Sequence, residues 1–156
     1  MISAMQSYRI ARWLADRRVP ALPRLIDYLN RLVFSCWIPH EARIGRDVVL
    51  GYGGLGIVIH QDSVIGDRVH IDQGVTIGGN ATEFGVATIG NDVYIGAGAK
   101  VLGPISIGAD AVIGANAVVL ADVPPRCVAA GVPARIVRRD IDPRLFLYHK
   151  RPKAPR

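Results

Sequence analysis

Residues 89–114 read IGNDVYIGAGAKVLGPISIGADAVIG. An aliphatic residue returns there at every sixth position, at Ile89, Ile95, Val101, Ile107 and Ile113, and a glycine follows four of these five. The register runs on to Val119 in one direction and back through Ile77, Ile71, Ile65, Ile59, Leu50 and Ile44 in the other. A small or β-branched residue usually sits four places later, as at Val48, Ser63, Val69, Val75, Val93, Ala99, Ala111, Ala117 and Val123. A period of six matches neither a helix nor a single strand, so it sets a larger geometry. Three six-residue strands make one triangular coil, and successive coils stack about 4.8 Å apart. The aliphatic residues then form inward columns, while the glycines and small residues are expected to allow the tight corners. The expected fold class is mainly β: a parallel β-helix of hexapeptide repeats over residues 41–138, preceded by a short helical segment at 1–40 and followed by a basic tail at 139–156.

Two steps break the period. Leu50 to Ile59 is nine residues, which predicts a bulge over Tyr52-Gly53-Gly54-Leu55-Gly56. Ile77 to Ile89 is twelve, with Glu83 where an aliphatic residue belongs, which predicts an excursion over residues 79–85 that rejoins in register. Solenoids build their sites at such interruptions. Pro124-Pro125 is expected to end the ladder, because proline cannot donate to it.

Before the repeats, residues 8–15 predict a short helix, broken by Pro20 and Pro23. Leu25, Ile26, Leu29, Leu32, Val33 and Trp37 then recur at helical spacing. That face is expected to cover the open end of the prism, where strand edges would otherwise be unpaired. Its alternative use, as a basic amphipathic helix, is weak contact with a membrane surface. No apolar run approaches the ~20 residues of a span, and Arg9 and Arg12 inside the first apolar stretch do not fit a secretory signal.

Half the residues are hydrophobic and only 6% are aromatic, which suits flat layers of Ile, Val and Ala in a narrow prism. The net charge of +6 points to an anionic partner. Much of it lies at the ends, including Arg144, Lys150, Arg151, Lys153 and Arg156. No basic patch interleaved with aromatics appears in the repeats, so nucleic acid is not expected as a partner. Cys36 and Cys127 form no framework, which fits a reducing, cytoplasmic compartment and buried thiols.

Four strings in order, residues 74–79 (GVTIGG), 95–103 (IGAGAKVLG), 113–120 (IGANAVVL) and 130–137 (AGVPARIV), resemble the hexapeptide-repeat acyltransferases of the serine O-acetyltransferase family. The resemblance covers residues 44–139 and implies a left-handed coil, a homotrimer and acetyl-CoA bound as co-substrate in the cleft between adjacent prisms. It also implies a histidine that deprotonates the acceptor hydroxyl. The chemistry itself asks for a general base near neutral pH, donors for a developing oxyanion and cations for the CoA phosphates. His60 is the first candidate base, since it stands where other hexads carry glycine; His70 is the second. Asp62, Asp72 and Glu83 are the carboxylates that could orient them. Gly78, Gly79, Gly96, Ala97, Gly114 and Ala115 suit a flat wall for the pantetheine, and Lys100, Arg135 and Arg138, with Arg139, suit its phosphates. His40 and His149 are expected to be solvated.

The chain departs from the family at three places. Where the family carries an Asp-His pair this chain reads Gly51-Tyr52, and where its excursion loop carries an Arg-His pair this one reads Glu83-Phe84. Only about 40 residues precede the repeats. Acetyl transfer to a small hydroxyl compound is expected, with serine ahead of a sugar of surface polysaccharide biosynthesis. A zinc hydratase needs three histidine ligands, and only His60 and His70 lie in the repeats, so no metal is expected. A non-catalytic scaffold would not need the strings that suit CoA.

Overall fold

The computed structural model describes residues 3–142. Two helices, α1 (Ala4–Asp16) and α2 (Leu22–Phe34), precede a triangular solenoid. Its first coil is β1 (Arg43–Ile44), β2 (Val49–Leu50) and β3 (Val58–Ile59), and its second is β4 (Val64–Ile65), β5 (His70–Ile71) and β6 (Thr76–Gly78). The third is β7 (Thr88–Ile89), β8 (Tyr94–Ile95) and β9 (Lys100–Leu102), and the fourth is β10 (Ser106–Ile107), β11 (Val112–Ile113) and β12 (Val118–Val119). A final hairpin joins β13 (Val128–Gly131) to β14 (Ala134–Arg138). Corresponding strands stack in parallel into three faces: β3-β6-β9-β12, β1-β4-β7-β10, and β2-β5-β8-β11-β13, with β14 closing the last face antiparallel.

The interior is the expected set of aliphatic columns. Ile59, Ile71, Ile77, Ile95, Val101 and Ile113 are fully buried. The small positions are interior too: Val69, Val75, Val93, Ala99, Ala111 and Ala117 are equally buried. They therefore fill the prism beneath each corner and do not form the bend. The bend belongs to the residue three places after the aliphatic one, which takes a left-handed conformation at Asp47, Arg68, Gly74, Asp92, Gly98, Asp110 and Asn116. The glycine that follows the aliphatic residue has a different cause. A Cβ at Gly96 would stand 2.8 Å from the Ala115 nitrogen of the next coil, so close approach of the coils excludes any side chain there.

Three further expectations are corrected. The winding begins one hexad earlier, since Trp37 bridges to Val58 and buried Ile38 precedes Ile44 by one period. It also runs past Pro124-Pro125, because β13, which follows them, pairs in parallel with β11. The apolar stripe of α2 does not cover the prism. Its buried members are Pro23, Asp27 and Asn30, while Leu25, Leu29, Leu32 and Val33 face outward, Leu32 at 80% exposure.

The end of the prism is closed by α1 instead. Ser3 and Gln6 form a reciprocal capping box that starts this helix four residues earlier than its apolar pattern suggests. Tyr8 is buried; its hydroxyl donates to the Ala42 carbonyl (2.7 Å) and accepts from the Ile44 amide (3.2 Å). Arg9 donates to the Ile44 and Gly45 carbonyls, and Arg12 to those of His40 and Glu41. An exposed strand edge needs donors and acceptors, which leucines cannot supply.

Candidate active site

On the β3-β6-β9-β12 face, Trp37, Val58, Thr76, Lys100 and Val118 stand in one outward column. Two residues further along each strand, a second column holds His60, Gly78 and Leu102. Between them lies an open groove of ≈ 350 Å³, lined by Trp37, Val58, His60, Gln61, Thr76, Gly78, Gly79 and Leu102. The two interruptions of the period flank it. The bulge folds as a tight turn at Gly51–Gly54 just before β3, and the excursion leaves after Gly78.

His60 directly follows Ile59, just before the turn, at a position that is glycine on the other two faces of the four coils except at Asp72. Its backbone is fixed by the bond from its amide to the Ile77 carbonyl (2.8 Å), and its side chain is 44% exposed on the groove. Nδ1 accepts from the Asp62 amide at 3.2 Å, and Asp62 Oδ2 lies 3.7 Å away. With Nδ1 accepting from that amide, the neutral ring carries its proton on Nε2; for Nε2 to act as the base, the ring must exchange this bond for one from Nδ1–H to the Asp62 carboxylate. Gly78 is the informative wall residue. A Cβ there would meet nothing within 4 Å, so coil packing does not demand a glycine; a side chain would enter the groove.

His70 lies on another face, in β5. Its Nε2 is 3.0 Å from Asp72 Oδ1, Asp72 Oδ2 accepts from the Tyr94 hydroxyl at 2.5 Å, and the His70 and Tyr94 rings are 5.3 Å apart. His70 and Asp72 are each 18% exposed. One protomer thus does not bring His60 and His70 together.

Gly96 with Ala97 and Gly114 with Ala115 stack one coil above the other, at the edge shared by the β11 and β12 faces. Coil packing explains the two glycines without a ligand. Lys100 is tied down, its Nζ donating to the Gly74 carbonyl at 2.6 Å. Arg135 and Arg138, on β14, are exposed, and among the described residues Arg135 donates only to the adjacent Ala134 carbonyl. Gly79 lies against the excursion, 3.2 Å from the Gly85 carbonyl when a Cβ is placed on it.

His40 is not solvated, contrary to expectation. Its side chain is 14% exposed and its Nδ1 lies 2.6 Å from the buried Asp27 carboxylate. Burial pushes the Asp27 carboxyl above its usual range, and His40 opposes that shift. With Glu41, which Arg24 engages at 2.6 Å, the group ties α2 to the prism. Asp27, His40 and Glu41 are the three donors among the described residues close enough together to hold an ion. They are already bonded to one another and to Arg24, and none of them lines the groove. Cys36 and Cys127 are buried, and burial pushes the Cys36 thiol up to about 11, so it is no nucleophile. No described helix is long and apolar enough to cross a membrane. His149 and the cations beyond residue 142 lie outside the described residues.

One residue of the groove escaped the reading of the chain alone: Trp37, which the helical spacing placed with α2. The signal that finds Trp37 is the hexad register itself, carried back one period from Ile44 to Ile38.

Comparison with known proteins agrees with the fold and with the resemblance read from the repeats. The family profile of bacterial transferase hexapeptide (six repeats) matches residues 87–121. A serine acetyltransferase from Synechococcus elongatus is 42% identical over 145 residues, covering 90% of this chain and 59% of that protein. The crystal structure of Neisseria gonorrhoeae serine acetyltransferase superposes with a TM-score of 0.83 at 38% identity, over 89% of this chain and 54% of that one. Serine acetyltransferase from Brucella abortus in complex with coenzyme A gives 0.83 at 36%, over 87% and 55%. A coil of opposite hand could not superpose so closely, so the winding hand is that of these enzymes, left-handed as the resemblance implies. The chain spans about half the length of the relatives it matches. By sequence and by fold it is a hexapeptide-repeat protein similar to serine acetyltransferases over the half of them that it spans.

Proposed function

We propose that this chain is an acetyl-CoA-dependent O-acetyltransferase acting on a small hydroxyl compound, with His60 as general base. The observation that carries the reading is Gly78: the position stacked next to His60 in the same column lacks a side chain where the fold would tolerate one. A narrow, extended thioester carrier needs that space. Serine acetyltransferases solved in complex with coenzyme A support the same donor here.

In the reaction, His60 Nε2 takes the proton of the acceptor hydroxyl as its oxygen attacks the thioester carbonyl carbon. Backbone amides at the groove corner are the available donors for the charge that develops on the carbonyl oxygen. The C–S bond breaks, the sulfur receives the proton from His60, and the products are an acetyl ester and free CoA thiol. No covalent enzyme intermediate is required. Arg135 and Arg138 serve the CoA phosphates, with Lys100 along the groove.

Serine is the acceptor named in the relatives. The functional unit is read as a homotrimer, with the seam between copies completing the groove. The outward apolar stripe of α2 supports an oligomer, since patches of that kind mark association surfaces. Sedimentation equilibrium tests this, and a flotation assay with anionic vesicles tests the alternative that α2 lies on a membrane. An acetyl-CoA donor and two unpaired, buried cysteines suit a cytoplasmic enzyme.

The decisive assay is thiol release from acetyl-CoA over a panel of serine, homoserine and sugars. Release that depends on an acceptor supports the reading. No release together with no CoA binding by calorimetry sinks it in favour of a scaffold.

A further inference from the structure

Beside the His60 groove lies a second hollow of ≈ 570 Å³, lined by Arg31, Ser35, Cys36, Trp37 and Val58; Trp37 and Val58, in the column across the groove from Gly78, line both, so the two adjoin there. If the thioester runs past Gly78, this opposite arm is left for the acceptor. It is built as a recognition surface. Trp37 is locked into the strand ladder: its amide donates to the Ile57 carbonyl and its carbonyl accepts from the Ile59 amide, both at 2.8 Å. Tyr28 supports it, with ring centroids 5.7 Å apart. The Arg31 guanidinium stands 6.0 Å from the Trp37 ring centroid and is in no ion pair among the described residues. No acidic side chain lines the arm.

A flat aromatic platform beside a free guanidinium suits a ring with an apolar face that also carries an anion. The volume lies within the about 300–1,000 Å³ of ordinary ligand sites, far more than a three-carbon amino acid fills. The geometry points to an anionic sugar as acceptor, its ring on Trp37, its carboxylate or phosphate on Arg31 and one hydroxyl presented to His60. This rests on the acetyl-transfer reading and names the acceptor class of the same site.

The test measures thiol release at saturating acetyl-CoA with glucuronate, glucose 1-phosphate, glucose and serine, for the wild type, Arg31→Gln, Arg31→Lys and Trp37→Leu. One of the two anionic sugars is expected to show the lowest KM, and which one tells carboxylate from phosphate. Arg31→Gln should raise that KM by about 10–100-fold. Its kcat, the KM for glucose and CoA affinity by calorimetry should stay unchanged. Arg31→Lys should recover part of the loss, and Trp37→Leu should weaken both sugars. Serine or glucose as the best acceptor, or an anionic-sugar KM indifferent to Arg31, overturns the inference. If CoA binds and no acceptor turns over, calorimetric titration of the two anionic sugars decides: Arg31-dependent binding upholds the subsite and its absence removes it. If CoA does not bind, acetyl transfer itself fails, and the same titration still judges the subsite.

Discussion

The molecule carries two histidines ten residues apart, in settings that could hardly differ more. His60 is 44% exposed, loosely set beside a carboxylate 3.7 Å away, and lines the open groove. His70 is mostly enclosed, bonded to Asp72, which Tyr94 clamps in turn. By bond quality alone His70 resembles a catalytic pair. By access, His60 is the residue a substrate can meet. Good geometry in the resting molecule marks what is already satisfied, and a reactive group must keep something unsatisfied for its ligand.

Substitution breaks or sharpens that contrast. His60→Ala should lower kcat by about 10²–10⁴-fold with CoA binding retained. If His70→Ala gives that loss while His60→Ala turns over near normally, the roles exchange.

The second largest effect separates two glycines that look alike in sequence. Gly96→Ala forces a Cβ against the next coil and should cost about 1–3 kcal/mol in denaturant unfolding. Gly78→Ala should leave the midpoint within about 0.5 kcal/mol of the wild type while raising the KM for acetyl-CoA. Equal destabilisation by both would mean Gly78 is structural.

Arg135→Ala should weaken CoA affinity by about 5–10-fold with little change in kcat at saturation. The smallest effect is on the His70 side: Tyr94→Phe should cost about 0.5–1.5 kcal/mol of stability. A kcat loss in that variant as large as that of His60→Ala would place the clamped cluster in the chemistry.

The period made the prism legible from the chain alone, because an inward aliphatic column admits one spacing. Both interruptions were legible for the same reason, and they do flank the groove. The role of α2 was not. A helical hydrophobic pattern tells which residues share a face, and cannot tell whether that face turns in or out; here the inner face needed Asp27 for His40 and Asn30, whose side chain donates to the Ala4 carbonyl at 3.2 Å. The two kinds of glycine were likewise indistinct, since one letter stands both for a coil contact at Gly96 and for open space at Gly78. His40 misled because Pro39-His40 reads as a junction, while its partner Asp27 is thirteen residues away in the chain.

The excursion over residues 79–86 is held by its own bonds. The Asn80 Oδ1 accepts from the Thr82 and Glu83 amides at 3.1 and 2.8 Å, and its Nδ2 donates to Glu83 at 3.1 Å. Above and below it β6 pairs with β9 and β4 with β7, as though nothing had been inserted. Such a segment is a replaceable cassette. Natural or laboratory drift could exchange its tip, where Phe84 is wholly exposed, and retune what sits next to the groove while the winding carries on undisturbed.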